Sequence, residues 1–125
     1  MKIRKDDIPV TMQAPGTTMR GLAGYGGMTV AFNELPAGTD FAPVLQGLKN
    51  DKCQCPHWGY ILEGEMVMKY EDGREERLTA GDVFYMPPGH TGIVEKDIKL
   101  VDFSPEKELK EVMDHIAKKM AEFGG

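Results

Sequence analysis

Three common sequence features are absent from this chain, and each absence removes a class of protein. No apolar run approaches the roughly 20 residues that a membrane-spanning helix needs. The N-terminal segment MKIRKDDIPV carries positive charge, but neither an apolar region nor a small-residue cleavage site follows it. The net charge of −5 lacks the basic excess of a protein that binds a phosphate backbone. We therefore expect a cytoplasmic protein with no membrane and no nucleic-acid partner.

Cysteine is also scarce, since the chain has only Cys53 and Cys55. In the cytoplasm both thiols should be reduced, and a disulfide between residues this close would be strained, so a bridge is the weakest interpretation. The remaining composition, 41% hydrophobic and 28% charged over 125 residues, is typical of one globular domain. We expect a single domain over residues 1–125.

Frequent turn signals divide the chain into short segments that alternate apolar and polar residues. The predicted strands cover residues 28–35, 59–62, 66–70, 76–79, 83–86 and 99–103. Short strands at this spacing, with no helix between them, indicate an all-β sandwich or barrel. The barrel is expected over about residues 10–103.

The spacing of apolar residues changes near the C-terminus, from every second residue to every third or fourth residue, as in an amphipathic helix. The sequence predicts one helix over about residues 105–123, with Ser104 as its N-cap, Pro105 at its first position and Gly124 at its end. Its apolar stripe should cover the barrel or a sister subunit. His115 lies off that stripe and is interpreted as a solvated surface residue.

The segment CQCPHWGY, residues 53–60, raises the question of a metal site. In an extended chain Cys53, Cys55 and His57 share one face, with neighbouring Cα atoms about 6.6 Å apart. Cys53 and His57 would then lie about 13 Å apart, too far to share one ion. Pro56 could bend the chain and swing His57 back toward the cysteines. The residues alone leave three alternatives open, which are metal binding, a strained bridge and simple packing of a core.

Two further stretches carry a family resemblance. HWGYILEGE, with Gly64, and AGDVFYMPPGH resemble the two signature motifs of the cupin superfamily. The chain is most similar to small single-domain bacterial cupins with a CxCPHWGY segment. The resemblance implies an antiparallel jelly-roll β-barrel, often dimeric, with a metal or small-molecule site inside. With the C-terminal helix added, the expected fold is all-β, a cupin-like barrel closed by one helix.

The chain departs from the usual ligands of the first cupin motif. Counting back from Gly64, His57 takes the place of the glutamate ligand, and Cys53 takes that of the second histidine. Asp51 falls at the first histidine, and Cys55 has no counterpart in the motif.

The second motif departs as well. Gly81, Pro87 and Gly89 match it, but Gly92 stands where a histidine is expected, and His90 comes two residues earlier. The three-histidine, one-glutamate set usual in the family is therefore absent, and in its place stands a candidate set of Cys53, Cys55, His57 and His90.

Thiolate and imidazole ligands favour zinc or iron over nickel or manganese among divalent transition metals. Four such ligands would make a closed structural site, whereas three would leave a position for water or substrate. Without a metal, the thiols could pack as small apolar groups and the histidines could be satisfied by hydrogen bonds.

Two functions follow from the resemblance. One is a metal-dependent enzyme acting on a small organic substrate, and the other is a metal-free module that binds or senses a small ligand. Met66, Met68 and Met86 could form an apolar cavity wall in either case, although we expect core packing as the role of each. Asp82 and Asp102 are interpreted as a turn residue and a strand-end residue without a catalytic role.

The outer surface of the barrel suggests a protein partner. Trp58 and Tyr60 have the opposite parity to His57 and should face outward, where aromatic residues are natural interface anchors. We therefore expect a homodimer.

Overall fold

The structure is a computed structural model that describes residues 1–124. It contains seven strands, two helices and two single-turn 3-10 segments, Lys5–Asp7 and Lys49–Asp51. The strands are β1 (Val10–Ala14), β2 (Thr17–Tyr25), β3 (Met28–Leu35), β4 (His57–Tyr70), β5 (Glu75–Thr79), β6 (Val83–Met86) and β7 (His90–Pro105). The helices are α1 (Ala42–Leu45) and α2 (Glu106–Gly124). No helix among residues 1–124 is both long enough and apolar enough to cross a membrane.

All strand pairs are antiparallel, in the order β1-β2-β3-β7-β4-β5, and β6 also pairs with β4. The sheet bends in the middle of β4, where its register against β7 shifts between Ile61 and Met66. Gly64 lies in that shift with φ +90°, and a Cβ there would collide with the carbonyl oxygen of Asp97. Glycine is therefore the residue that allows this bend, which lets one long strand contribute to both walls of the barrel.

The buried side chains form two clusters. The larger fills the barrel and includes Ile61, Met68 and Ile98, none more than 2% exposed. The smaller joins Cys53 and Cys55 to the inner face of α2. Helix α2 thus packs over the barrel through its apolar stripe, as the sequence predicted, and the two cysteines lie at that junction.

The predicted strands are extended or joined in the structure. β3 and β6 have the predicted bounds, whereas residues 59–62 and 66–70 belong to one strand, β4. The prediction missed β1, β2 and the first half of β7, as well as the short helix α1. In β2 and at the start of β7, glycine and threonine weakened the alternating pattern on which the prediction depended.

The predicted N-cap of α2 was wrong. Pairing with β3 continues through Pro105, where Ser104 lies opposite Thr29 and Pro105 opposite Met28, so the sheet holds both residues in extended backbone. The helix begins one residue later, at Glu106.

His115 also differs from its interpretation as a solvated residue. Its Nε2–H donates a hydrogen bond of 2.7 Å to the carbonyl oxygen of Gln46. This bond ties α2 to the segment that follows α1.

Candidate metal centre

Three of the four predicted ligands come together at one point. The side-chain donor atoms of Cys53, His57 and His90 all lie within 4.8 Å of one another. Sγ of Cys53 is 3.7 Å from Nε2 of His57, and the two imidazole rings meet edge to face with centroids 5.0 Å apart. The group lies inside the barrel, at the end of β4 where the strand begins.

The backbone brings Cys53 close to His90 rather than leaving it on the same strand as His57. The Cys53 N–H donates a hydrogen bond of 2.8 Å to the carbonyl oxygen of His90. The Gly89 N–H donates another, also of 2.8 Å, to the carbonyl oxygen of Cys53. β4 starts only at His57, and residues 54–56 lie outside any strand. The chain therefore turns between Cys53 and His57, as the expected bend at Pro56 requires, and the 13 Å separation of a straight strand does not apply.

Hydrogen bonds fix how the two histidines point. Nδ1 of His90 lies 2.7 Å from the carbonyl oxygen of Pro87, and a carbonyl only accepts, so Nδ1 carries the proton. Nδ1 of His57 lies 2.6 Å from Oγ of Ser104, whose hydroxyl donates to Oδ1 of Asp102 at 3.3 Å. Because the Ser104 proton is used on Asp102, His57 is the donor to Ser104. This network assigns both protons to Nδ1 and leaves each Nε2 lone pair for the interior of the site.

Burial keeps the group uncharged when no cation is present. It raises the pKa of Cys53 to about 11, and it lowers the pKa of His57 to about 3, with His90 adding to the decrease. Burial also lowers the pKa of His90. At neutral pH the group is therefore a thiol beside two neutral imidazoles. A nucleophilic cysteine paired with histidine needs the opposite order, with a thiolate that forms readily.

Cys55 and Asp51 lie outside the group. Cys55 is fully buried, packs in the cluster beneath α2, and has its Sγ 3.4 Å from the carbonyl oxygen of Pro56. Burial raises the pKa of Cys55 to about 12. Asp51 is exposed, and its carboxylate accepts a hydrogen bond of 3.0 Å from the Gly47 N–H. The structure thus unites three of the four expected donors, and Cys55 has the position of a packed core residue.

Sequence reasoning missed two residues that support the group. Ser104 is fully buried and Asp102 is 8% exposed, and burial raises the pKa of Asp102 to about 7. Their signal was strand parity, because 102 and 104 follow the buried Leu100 at intervals of two along β7. Asp82, by contrast, is a turn residue as predicted, since its carboxylate accepts a 2.8 Å hydrogen bond from the Thr79 N–H.

The three donors open onto a cavity of about 520 Å³. Its wall is mostly apolar and includes the three methionines that the sequence suggested, Met66, Met68 and Met86. α2 lines the cavity on one side with Leu109 and Met113. The arrangement is a buried donor group at the wall of an apolar chamber, in a jelly-roll barrel closed by a helix.

Trp58 and Tyr60 face away from this chamber, as their parity predicted. They are 43% and 42% exposed, and the Trp58 ring stacks on Tyr85 with centroids 5.1 Å apart.

The fold and the interior site define a cupin-type barrel, and comparison with known proteins agrees. The family model of the cupin domain matches residues 53–94, the segment that contains all three donors. This segment of the chain is therefore similar to the cupin domain, as the two motifs predicted. No functionally curated protein matches it.

Solved structures share this fold at low sequence identity. An RmlC-like cupin from Shewanella frigidimarina has 21% identity and a TM-score of 0.57, with 82% of this chain and 88% of that one covered. The polyketide cyclase RemF from Streptomyces resistomycificus has 19% identity and a TM-score of 0.57, covering 84% and 78%. FeII HppE has 14% identity and a TM-score of 0.58, covering 83% of this chain and 59% of that one. At these identities the likeness establishes the fold alone.

Proposed function

We propose that this protein binds a divalent transition metal through Cys53, His57 and His90 and presents it to a small organic molecule in the adjoining cavity. One observation carries the proposal, the 3.7 Å between Sγ of Cys53 and Nε2 of His57. Two such ligands on one tetrahedral zinc ion, with bonds of about 2.3 and 2.05 Å, would stand about 3.6 Å apart. The group therefore already has the spacing of a shared ion for one ligand pair, and only a small inward shift is needed for the rest.

The donor set favours zinc or ferrous iron. One thiolate and two imidazoles form a soft-to-borderline set, and no carboxylate belongs to the group, which disfavours manganese and magnesium. Three protein ligands leave a fourth position, which is typical of catalytic rather than structural zinc sites. When bound, such an ion acts as a Lewis acid or lowers the pKa of a bound water. FeII HppE shows that the same fold accommodates iron in another protein, which supports the proposal by analogy only.

This chain's own residues would prepare the site. The Nδ1–H bonds of both histidines hold the rings with Nε2 inward, so little reorientation accompanies metal binding. The apolar methionine wall gives the cavity a low polarity, which strengthens electrostatic interactions inside it. A reducing compartment such as the cytoplasm would keep both cysteines available as thiols.

The second candidate function is a metal-free module that binds a small ligand. One observation favours it: the group is uncharged at neutral pH, so the chamber can enclose an apolar molecule without any ion.

Metal titration of purified, metal-free protein separates the two candidates. We expect one equivalent of zinc, ferrous iron or cobalt per chain, and cobalt should give a thiolate-to-metal charge-transfer absorption. A protein that takes up none of these ions would refute the metal site and favour the binding module.

A further inference from the structure

One carboxylate in the wall of the cavity has no cation beside it. Asp102 is 8% exposed and lines the cavity, and its Oδ1 accepts one hydrogen bond, of 3.3 Å, from the Ser104 hydroxyl. Burial raises the pKa of Asp102 to about 7, and no cationic group among residues 1–124 is close enough to oppose that rise. A carboxylate that is buried without a counter-charge is unfavourable, and in a native protein such a group needs an explanation.

The second oxygen of this carboxylate, Oδ2, is open to the cavity. It makes no hydrogen bond within residues 1–124, yet it is not one of the side-chain oxygens that lack both a partner and access to water, which belong to Asn33 and Thr91. The alternation of β7 gives its direction, because Asp102 follows the core residue Leu100 at an interval of two. A ligand in the cavity can therefore reach Oδ2.

The residues beside Asp102 leave room for such a ligand. Gly21 of β2 lies opposite Ala31 of β3, and Ala31 lies opposite Asp102. On its other side, Asp102 lies opposite Gly59 of β4. Opposite residues of an antiparallel pair point to the same face of the sheet, and of these four only Asp102 has a side chain longer than a methyl group. Gly21 and Ala31 line the cavity, so the space beside the carboxylate belongs to it.

The two cationic residues of the cavity wall are directed elsewhere. Arg20 lies opposite Phe32, on the outer face of the sheet by the alternation of β2 and β3. Nη1 of Arg20 donates a hydrogen bond of 2.9 Å to the carbonyl oxygen of Ile8. Nζ of Lys110 pairs with the carboxylate of Asp114 at 2.6 Å. The charge that faces the interior beside these small residues is therefore negative.

We infer that the cavity binds a small organic amine, whose ammonium group pairs with the carboxylate of Asp102 while its apolar part packs against the methionine wall. An ammonium group supplies the missing counter-charge and donates a charge-assisted hydrogen bond to Oδ2. A cavity of about 520 Å³ lies in the size range of pockets that enclose drug-sized molecules. The inference rests on the part of the proposed function that places an organic molecule in this cavity, and it does not depend on the metal.

The test uses three probes that share a phenylethyl body, namely 2-phenylethylamine, 2-phenylethanol and 3-phenylpropionate, added to metal-free protein. At about pH 8 the solution lies above the pKa of about 7 of Asp102, and the amine is still protonated. We expect the amine to bind about tenfold more tightly than either other probe, as measured by calorimetry. Equal binding of the alcohol, tighter binding of the carboxylate, or no binding of the amine would overturn the inference.

A near-isosteric variant assigns the preference to the carboxylate. Asp102→Asn keeps the shape of the side chain and removes its charge, so the preference for the amine over the alcohol should fall about fivefold or more. Glu95→Gln is the matched control, because it removes the same charge from an exposed position of β7 outside the cavity wall. It should leave the preference unchanged. A preference that survives in Asp102→Asn would refute the assignment.

A second variant tests the position of the ammonium group and keeps the carboxylate. Ala31→Val adds two methyl groups opposite Asp102, in the space that the ammonium group would occupy, and should weaken binding of the amine about tenfold. In wild type, NMR should show a nuclear Overhauser effect between the Ala31 methyl group and the methylene next to the amine nitrogen. Amine binding as tight in Ala31→Val as in wild type would place the ligand elsewhere and overturn the inference.

Zinc titration of wild type keeps this inference separate from the metal site. If wild type binds no zinc yet prefers the amine, the metal proposal fails and this inference stands. If zinc binds at one equivalent while the three probes bind equally, the reverse holds.

Discussion

The imidazole of His57 donates its Nδ1 proton to Oγ of Ser104 across 2.6 Å, although the two residues are 47 positions apart in sequence. Ser104 can accept this proton because its own hydroxyl is directed at Asp102. The hydrogen bonds from His57 to the buried Ser104, and from Ser104 to the buried Asp102, thus set which nitrogen of His57 faces Cys53. Histidine ligands of metals generally have such a partner on the second nitrogen.

Ser104→Ala should therefore weaken metal binding without removing a ligand. Loss of an outer partner of this kind typically lowers metal affinity about 10- to 100-fold. Competition with a chelator measures the affinity, and ¹⁵N NMR of the histidine rings should show that His57 no longer holds its proton only on Nδ1. Thr79→Ala removes a hydroxyl from a turn far from the site and is the matched control. Unchanged affinity and an unchanged His57 tautomer would contradict a positioning role.

Alanine substitution of the three grouped residues should abolish stoichiometric metal binding. Cys53→Ala, His57→Ala and His90→Ala each remove one of three ligands, whereas Cys55→Ala and His115→Ala should retain about one metal per chain. Elemental analysis of the purified variants gives the ratio, and melting temperatures with and without chelator show whether the metal stabilises the fold. Metal loss in Cys55→Ala, with its fold intact, would restore the four-ligand set that the sequence suggested.

Metal affinity should rise about tenfold per pH unit between roughly pH 8 and 9.5. Burial raises the pKa of Cys53 to about 11, so this thiol must lose one proton to bind. His57 and His90 contribute none, since burial lowers the pKa of both and they are already neutral. Calorimetry in two buffers of different ionisation enthalpy counts the protons released. Release of no proton would mean that Cys53 is not a ligand.

Asp102→Asn should change how stability depends on pH in metal-free protein. The folded pKa of Asp102 is about 7, above its ordinary value of 3.8, so the native state binds the extra proton between these values. This carboxyl therefore lowers stability as pH rises through that window, by about 1.4 kcal/mol per pH unit. His57 acts in the opposite direction, because its folded pKa is lowered to about 3 and stability is lost as pH falls below 6.5.

Removing Asp102 leaves the histidine effect uncompensated. Between about pH 4.5 and 6.5 the unfolding free energy of Asp102→Asn should increase with pH more steeply than that of wild type, by about 1.4 kcal/mol per unit. Urea denaturation at several pH values measures this difference. Parallel curves would show that the carboxyl is ionised as easily in the native state as in the unfolded chain.

Self-association through the outer face of the sheet stays a prediction. Trp58, Tyr60, Tyr85 and Phe103 are each at least 39% exposed, and Trp58 lies beside both Tyr85 and Phe103 in the sheet. Contiguous exposed aromatic residues favour a protein interface. Light scattering should give twice the chain mass for wild type and half that value for Trp58→Lys/Tyr60→Lys. Met120→Lys changes an exposed apolar residue of α2 and should remain dimeric, and a monomeric wild type would refute the prediction.

Local sequence signals determined much of the barrel. The alternation of apolar and polar residues predicted both ends of β3 and β6 correctly. The helical spacing of apolar residues predicted the start of α2 to within about one residue. These features are local because side-chain direction repeats every two residues in a strand and every 3.6 in a helix. Where glycine and threonine interrupt the alternation, as in β2, the strand exists only because a neighbouring strand supplies its hydrogen bonds.

The sequence by itself predicted four donors, through their residue types and their places in or near the motifs: Cys53, His57 and His90, with Cys55 as the fourth. Only the tertiary structure decided that these three meet while Cys55 turns toward α2, because the turn at residues 54–56 breaks the parity that placed all of them on one face. It also made Ser104 and Asp102 partners of His57, through the pairing of β4 with β7, which no local pattern encodes. Contacts between residues distant in sequence depend on strand register, and register is set by the packing of the whole sheet.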